Sequence, residues 1–148
     1  MPFRPAKGEI LTVRIPGLGE RRALNRGGWW LAPTDTAEVY RFGATYSWDV
    51  LDDVPTVTGR VELASKLGEL VRLPFEVLNH AAGVRPIVTG QKPVLGRHST
   101  VPGLAVFNGL SSKGSLTAPF FAEMLAAHLC DGAPIDPEVD VQKRTHHP

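Results

Sequence analysis

Cysteine is nearly absent from this chain: Cys130 stands alone, which excludes an intrachain disulfide and any cysteine-rich metal site. No apolar run approaches the roughly 20 residues that a membrane-spanning helix requires. The start, Met1-Pro2-Phe3-Arg4-Pro5, has no apolar stretch behind its basic residue and does not read as a signal peptide. Net charge is close to zero, since 16 basic and 15 acidic residues leave +1, so bulk electrostatics draws in neither nucleic acid nor an anionic membrane. No nucleic-acid or membrane partner is expected, and a reducing, cytoplasmic setting suits the cysteine usage. His146 and His147 are too few ligands for a metal site and fall in a locally basic stretch that reads as a solvated tail.

What is present suits a soluble globular domain: 148 residues with 43% hydrophobic and 21% charged can bury a core without staples. Residues 7–15 are rich in β-branched side chains and predict a strand closed by Pro16-Gly17. Residues 22–25 and 28–33 predict a hairpin around Arg26-Gly27, and the polar–apolar alternation of 38–46 predicts a half-buried strand. Short, closely spaced strands favour antiparallel meandering over parallel crossovers. A helix is predicted over 59–73, with Leu63, Ala64, Leu67, Leu70 and Val71 forming one stripe and Pro74 ending it. An extended segment follows over 75–88. Residues 104–108 lack alternation and predict a short strand covered on both faces. A last helix is predicted over 115–130, capped by Ser115, with Pro119 in its first turn, Gly132 as its stop and an extended tail beyond.

Three stretches occur in order: Gly28-Trp29-Trp30-Leu31-Ala32-Pro33 with Gly43-Ala44-Thr45; Ala82-Gly83-Val84-Arg85-Pro86 with Pro93-Val94-Leu95-Gly96; and residues 108–119, Asn-Gly-Leu-Ser-Ser-Lys-Gly-Ser-Leu-Thr-Ala-Pro. Together, from about Pro5 to Lys143, they resemble the C-terminal half of FAD-dependent oxidoreductases of the D-amino-acid oxidase and glycine oxidase superfamily. The resemblance implies an α+β fold in which a mostly antiparallel sheet with one covering helix forms a substrate domain over residues 5–100. A strand–loop–helix over 101–143 would belong to an incomplete FAD-binding domain, and 144–148 would be a tail. The family's N-terminal part carries Gly-x-Gly-x-x-Gly for the dinucleotide. Here Gly17-Leu18-Gly19 supplies only the first two glycines, and Arg22 stands where the third would fall. The pyrophosphate and adenosine grip is therefore missing.

The resemblance implies that Arg85 binds a substrate carboxylate, a role that suits a planar, permanently charged guanidinium able to make two parallel hydrogen bonds. Without the resemblance, Arg85 reads equally well as one half of an internal ion pair. Gly83, Gly109, Lys113, Gly114, Ser115 and Leu116 would border the flavin ring, the loop and the following helix N-terminus offering free N–H groups to it. Lys113 would also lie near substrate. Taken alone, this stretch is an ordinary glycine-rich turn before a helix. Trp30 and Tyr46 either line the substrate pocket or simply pack the sheet. His80 and His98 read as structural, and no residue is assigned as catalytic. Residues 88–93 depart from the family's Thr-x-Asp-x-x-Pro pattern, with Gly90 where an acid is common.

These features lead to an amine or amino-acid oxidase or dehydrogenase portion that caps FAD and binds a small amine or amino-acid substrate. Its partner would be the missing N-terminal FAD-binding half, in cis or in trans, and alone it would be inactive and inclined to self-associate. The rival expectation is a non-catalytic binding or structural domain, or a fragment, that keeps the substrate-domain fold.

Overall fold

The computed structural model describes residues 3–90 and 92–143; the basic tail with His146 and His147, and Gln91 of the 88–93 motif, lie outside the described residues. Strand β1 (Ala6–Arg14) is flanked on both sides, and its neighbours explain its composition. On one side runs β4 (Val39–Gly43), with Ile10 opposite Gly43 and Arg14 opposite Val39. On the other runs β5 (Glu76–Arg85), with Ala6 opposite Arg85 and Gly8 opposite Gly83. Strands β2 (Leu24–Arg26) and β3 (Trp29–Pro33) complete a five-stranded sheet in the order β2-β3-β4-β1-β5, every pair antiparallel. The β2–β3 hairpin turns on Gly27 and Gly28, with φ of 58° and 85°. Two successive positive φ values are what a two-residue hairpin loop demands, and glycine meets them without strain.

One face of this sheet is covered by α1 (Val57–Leu70). Leu63 and Leu67, one turn apart, are fully buried against Leu11, Val13, Leu31, Tyr40 and Phe42. Val71 joins the core and Leu70 packs partly against it. The expected helix thus exists, but it begins and ends earlier than 59–73. Thr56 caps it, its hydroxyl accepting the Gly59 N–H at 2.9 Å. Val71 ends it by turning extended (φ −122°, ψ 137°), because its side chain is drawn into the core; Pro74 is not the terminator. Leu67→Ala should lower stability by about 2–5 kcal/mol, as truncation of a fully buried leucine does. Urea unfolding measures this, and an unchanged midpoint would place the stripe outside the core.

The chain divides into two compact units, one of them Pro5–Arg85 and the other made of the remaining described residues. The division falls after Arg85, whereas the sequence placed it after residue 100. The physical reason is that β6 (Val94–Arg97) pairs with β7 (Ala105–Asn108) as a separate two-stranded ribbon, not with the five-stranded sheet. Pairing of Phe3 with Val88 ties the first described residues to this second unit. Strand β7 is not covered on both faces as expected. Its residues alternate exposed and half-buried, because it pairs with β6 alone among the described strands.

A 3-10 turn (Ser111–Lys113) runs directly into α2 (Gly114–Asp131). The helix therefore starts before Ser115, which does not cap it; Lys113 is the cap residue and gives no side-chain bond. Pro119 consequently lies inside the helix, past its first turn, where the missing N–H removes a backbone bond. Gly132 stops the helix in the left-handed region (φ 71°), as expected. Residues beyond it fold back on β6, Leu95 donating to the Val139 carbonyl and accepting from the Val141 N–H, both at 2.9 Å. Leu95, Ile135 and Val139 form a small core with Phe121, Met124 and Leu125 of α2 beside it. No helix among the described residues is long and apolar enough to cross a membrane.

Candidate functional site

Alternation along β1 sends its side chains to two chemically different faces. Lys7, Glu9, Leu11 and Val13 point toward α1, where Leu11 and Val13 enter the core. Lys7 and Glu9 are almost fully buried there, at 3% and 5% exposure, so their charges must be paired. The Lys7 ammonium contacts the Asp52 carboxylate at 2.6 Å and the Val54 carbonyl, with Glu9 at 4.0 Å. Glu9 accepts the Thr56 N–H at 2.9 Å and the Thr56 hydroxyl at 2.8 Å, bracing the N-terminus of α1. The hydrogen bond from Lys7, followed by that from the Val54 N–H, holds the Asp52 carboxyl below its ordinary range. His80 lies on this same face, Nε2 2.8 Å from Glu9 Oε2 but not aligned for a directed hydrogen bond.

The opposite face carries Ala6, Gly8, Ile10 and Thr12 of β1, and by register Arg85, Gly83 and Ala81 of β5, Gly43 of β4 and Trp30 of β3. Arg85 is half-buried, and its guanidinium reaches across β1 rather than out to solvent. It donates from Nη1 to the Thr45 carbonyl at 3.2 Å and lies 4.3 Å from the centre of the Tyr46 ring. A Cβ on Gly8 would coincide with the guanidinium itself, so the arginine rests on bare backbone. Thr45 and Ser47 are docked to β1: the Glu9 N–H donates to Thr45 Oγ1 at 2.9 Å, and Ser47 and Lys7 exchange backbone bonds. Among the described residues, no acid forms an ion pair with Arg85.

The sequence-selected residues of this unit fall as follows. Arg85 and Tyr46 touch. Tyr46 is 54% exposed and stacks on Trp48 with 6.0 Å between ring centres. Gly83 has open space where a side chain would stand. Trp30 shares the face but is farther along it, with β4 and β1 between its strand and β5. His80 is on the other face. Gly8 was not selected from the sequence, and Thr45 entered only as part of a motif, although a glycine inside a β-branched strand is a signal that something approaches the backbone closely.

In the second unit, Asn108 Nδ2 donates to the Pro86 carbonyl at 2.8 Å, and its Oδ1 accepts the Gly109 N–H at 2.6 Å. Gly109 has φ 78°, and a Cβ there would strike the Lys92 carbonyl, so this glycine is required by the chain's own packing. Gly114 is right-handed and meets only Leu110 at 3.5 Å, so no internal contact requires a glycine there. Lys113, Ser115 and Leu116 are exposed, Leu116 at 78%. The N-terminal end of α2 has neither a side-chain cap nor an acid in its first turn. His98 is structural: its Nδ1 accepts the N–H groups of Thr100 at 3.2 Å and Val101 at 3.1 Å.

Residues 1–128 match the family model described as DAO, FAD dependent oxidoreductase. Among solved structures, glycine oxidase from Geobacillus kaustophilus superposes with a TM-score of 0.72 at 25% identity, covering 91% of this chain and 37% of that one. Iminodiacetate oxidase from Chelativorans superposes with a TM-score of 0.72 at 26% identity, covering 91% of this chain and 38% of that one. The bifunctional protein MnmC of tRNA 5-methylaminomethyl-2-thiouridine biosynthesis from Idiomarina loihiensis is 26% identical over 134 residues, 87% of this chain and 22% of its own length. The chain thus spans well under half the length of each of these relatives.

Proposed function

The chain belongs to the FAD-dependent oxidoreductase family, and from that premise we propose that it supplies the substrate-binding portion of a flavin-dependent amine or amino-acid oxidoreductase. The observation that carries this reading is Arg85, a guanidinium held on bare backbone, on the sheet face that α1 leaves uncovered, above a floor of glycine and alanine. A small amine bearing a carboxylate is the ligand such a floor and such a cation accept. Arg85 anchors the carboxylate by charge-assisted hydrogen bonds, with Tyr46 and Trp30 of the same unit lining the pocket.

At the flavin end, Gly109, Lys113, Gly114, Ser115 and Leu116 of the second unit border the ring. The fit is supported by the N-terminus of α2, which carries no capping side chain and no acid, and by Gly114, whose lack of a side chain serves no internal contact. Such an end favours negative charge. FAD, when bound, would supply the hydride-accepting chemistry for oxidation of the carbon beside the amine. This chain orients the substrate and sets the field around the ring. The pyrophosphate grip comes from a nucleotide-binding half outside these residues, in cis or in trans. The apolar helix α2 has no fully buried residue and exposes Leu116 and Phe120, which supports a docking surface for that half and self-association without it. A cytoplasmic location suits the exposed, unpaired Cys130.

In the assembled enzyme, Arg85→Ala should raise KM for carboxylate-bearing amines about 10–100-fold, the worth of one or two hydrogen bonds to a charge. Amines lacking a carboxylate should be unaffected. Equal losses for both classes would remove Arg85 from substrate recognition.

A further inference from the structure

We propose that Gly8 is a positioning residue for carboxylate recognition, acting by leaving the space on β1 through which the Arg85 guanidinium crosses to its seat on Thr45 and Tyr46. The inference rests on the reading of Arg85 as the carboxylate anchor and adds what sets its position. Arg85 starts from β5, opposite Ala6, yet its partners lie beyond the far edge of β1, in the segment that follows β4. The side chain crosses the strand at residue 8. Any Cβ there would occupy the volume of Nη1, Nη2 and Cζ. The obstacle would meet the far end of a flexible side chain, not backbone, so the sheet tolerates it and the guanidinium yields. Residue 8 has no positive φ, so alanine is conformationally acceptable, and a glycine inside a strand is otherwise a weakening choice. The Tyr46 ring closes the other side of the seat at 4.3 Å. A guanidinium held between backbone and ring presents its free N–H groups in one orientation, which lowers the ordering cost of binding.

The consequence is a pair of opposite effects. Gly8→Ala should leave thermal stability unchanged or raised while weakening binding of acetate about 10-fold or more, the loss expected when a charge-assisted pair is misplaced. The test uses this chain labelled with ¹⁵N-arginine, with acetate as probe and the Arg85 Nε–H resonance, identified by its loss in Arg85→Lys, as readout. In the unsubstituted chain the resonance should be distinct from solvent-averaged arginines and should shift saturably with acetate. In Gly8→Ala it should join the solvent-averaged group. A Gly8→Ala protein that keeps the original resonance and binds acetate equally well overturns the inference. Tyr46→Leu, at an exposed position, provides a second arm should Gly8→Ala fail to fold: weaker acetate binding supports the seat, and unchanged binding overturns it. Failure of the unsubstituted chain's Arg85 signal to respond to acetate would instead overturn the anchor reading, and the inference with it.

Discussion

Replacing Lys7 by methionine should cost the chain about 3–5 kcal/mol, the penalty for breaking a buried ion pair from one side. Lys7 is only 3% exposed, and its ammonium lies against three groups: Asp52 and the Val54 carbonyl of one loop and, at 4.0 Å, Glu9 of its own strand. Methionine fills the aliphatic volume but removes the Lys7 charge that lies 4.0 Å from the buried Glu9 carboxylate in the sheet–helix layer. It also releases the loop over 49–55 that Lys7 ties down. Glu9→Gln removes that carboxylate charge, so the Lys7→Met, Glu9→Gln double variant should be destabilised by less than the sum of the two singles. Groups in one network couple in this way. Urea unfolding of the four proteins reads the coupling. A Lys7→Met loss within the roughly 0.5 kcal/mol typical of surface positions would mean that this charge is solvated.

The same strand explains how far the sequence could be read. Periodicity was sufficient for α1, because Leu63 and Leu67 recur at helical spacing and the sheet offers one apolar face to receive them. Its ends were not legible, since they depend on a cap from Thr56 and on the burial of Val71, a tertiary event. The residues 104–108 show the converse failure. An unbroken apolar run marks a strand but does not reveal whether anything covers it, and β7 is left half-open. Arg85 and Tyr46 were singled out through the resemblance and lie in contact, while the buried charges were not singled out. Alternation alone puts Lys7 and Glu9 on the face of Leu11 and Val13, but their partners Asp52 and Thr56 lie 45 and 47 residues away. Gly8 was hidden for the same reason: its meaning is the side chain of a residue on another strand.

Binding of FAD is expected to be weak or undetectable with these 148 residues alone and tight once a nucleotide-binding half is supplied. In this fold family the pyrophosphate is gripped by a glycine-rich turn at a helix N-terminus. This chain has no Gly-x-Gly-x-x-Gly. The contacts proposed for it, along Gly109 to Leu116, reach only the ring end of the cofactor. A flavin held at one end must still surrender its translational and rotational freedom, a cost of several kcal/mol that few contacts offset. The exposed apolar residues of α2, Leu116 at 78% and Phe120 at 63%, are the surface proposed for that second half to cover. The most direct measurement is a fluorescence titration of FAD against this chain, with and without a separately supplied nucleotide-binding half. The account predicts tight binding and amine oxidation only when both are present. Tight binding and turnover by this chain alone would contradict it.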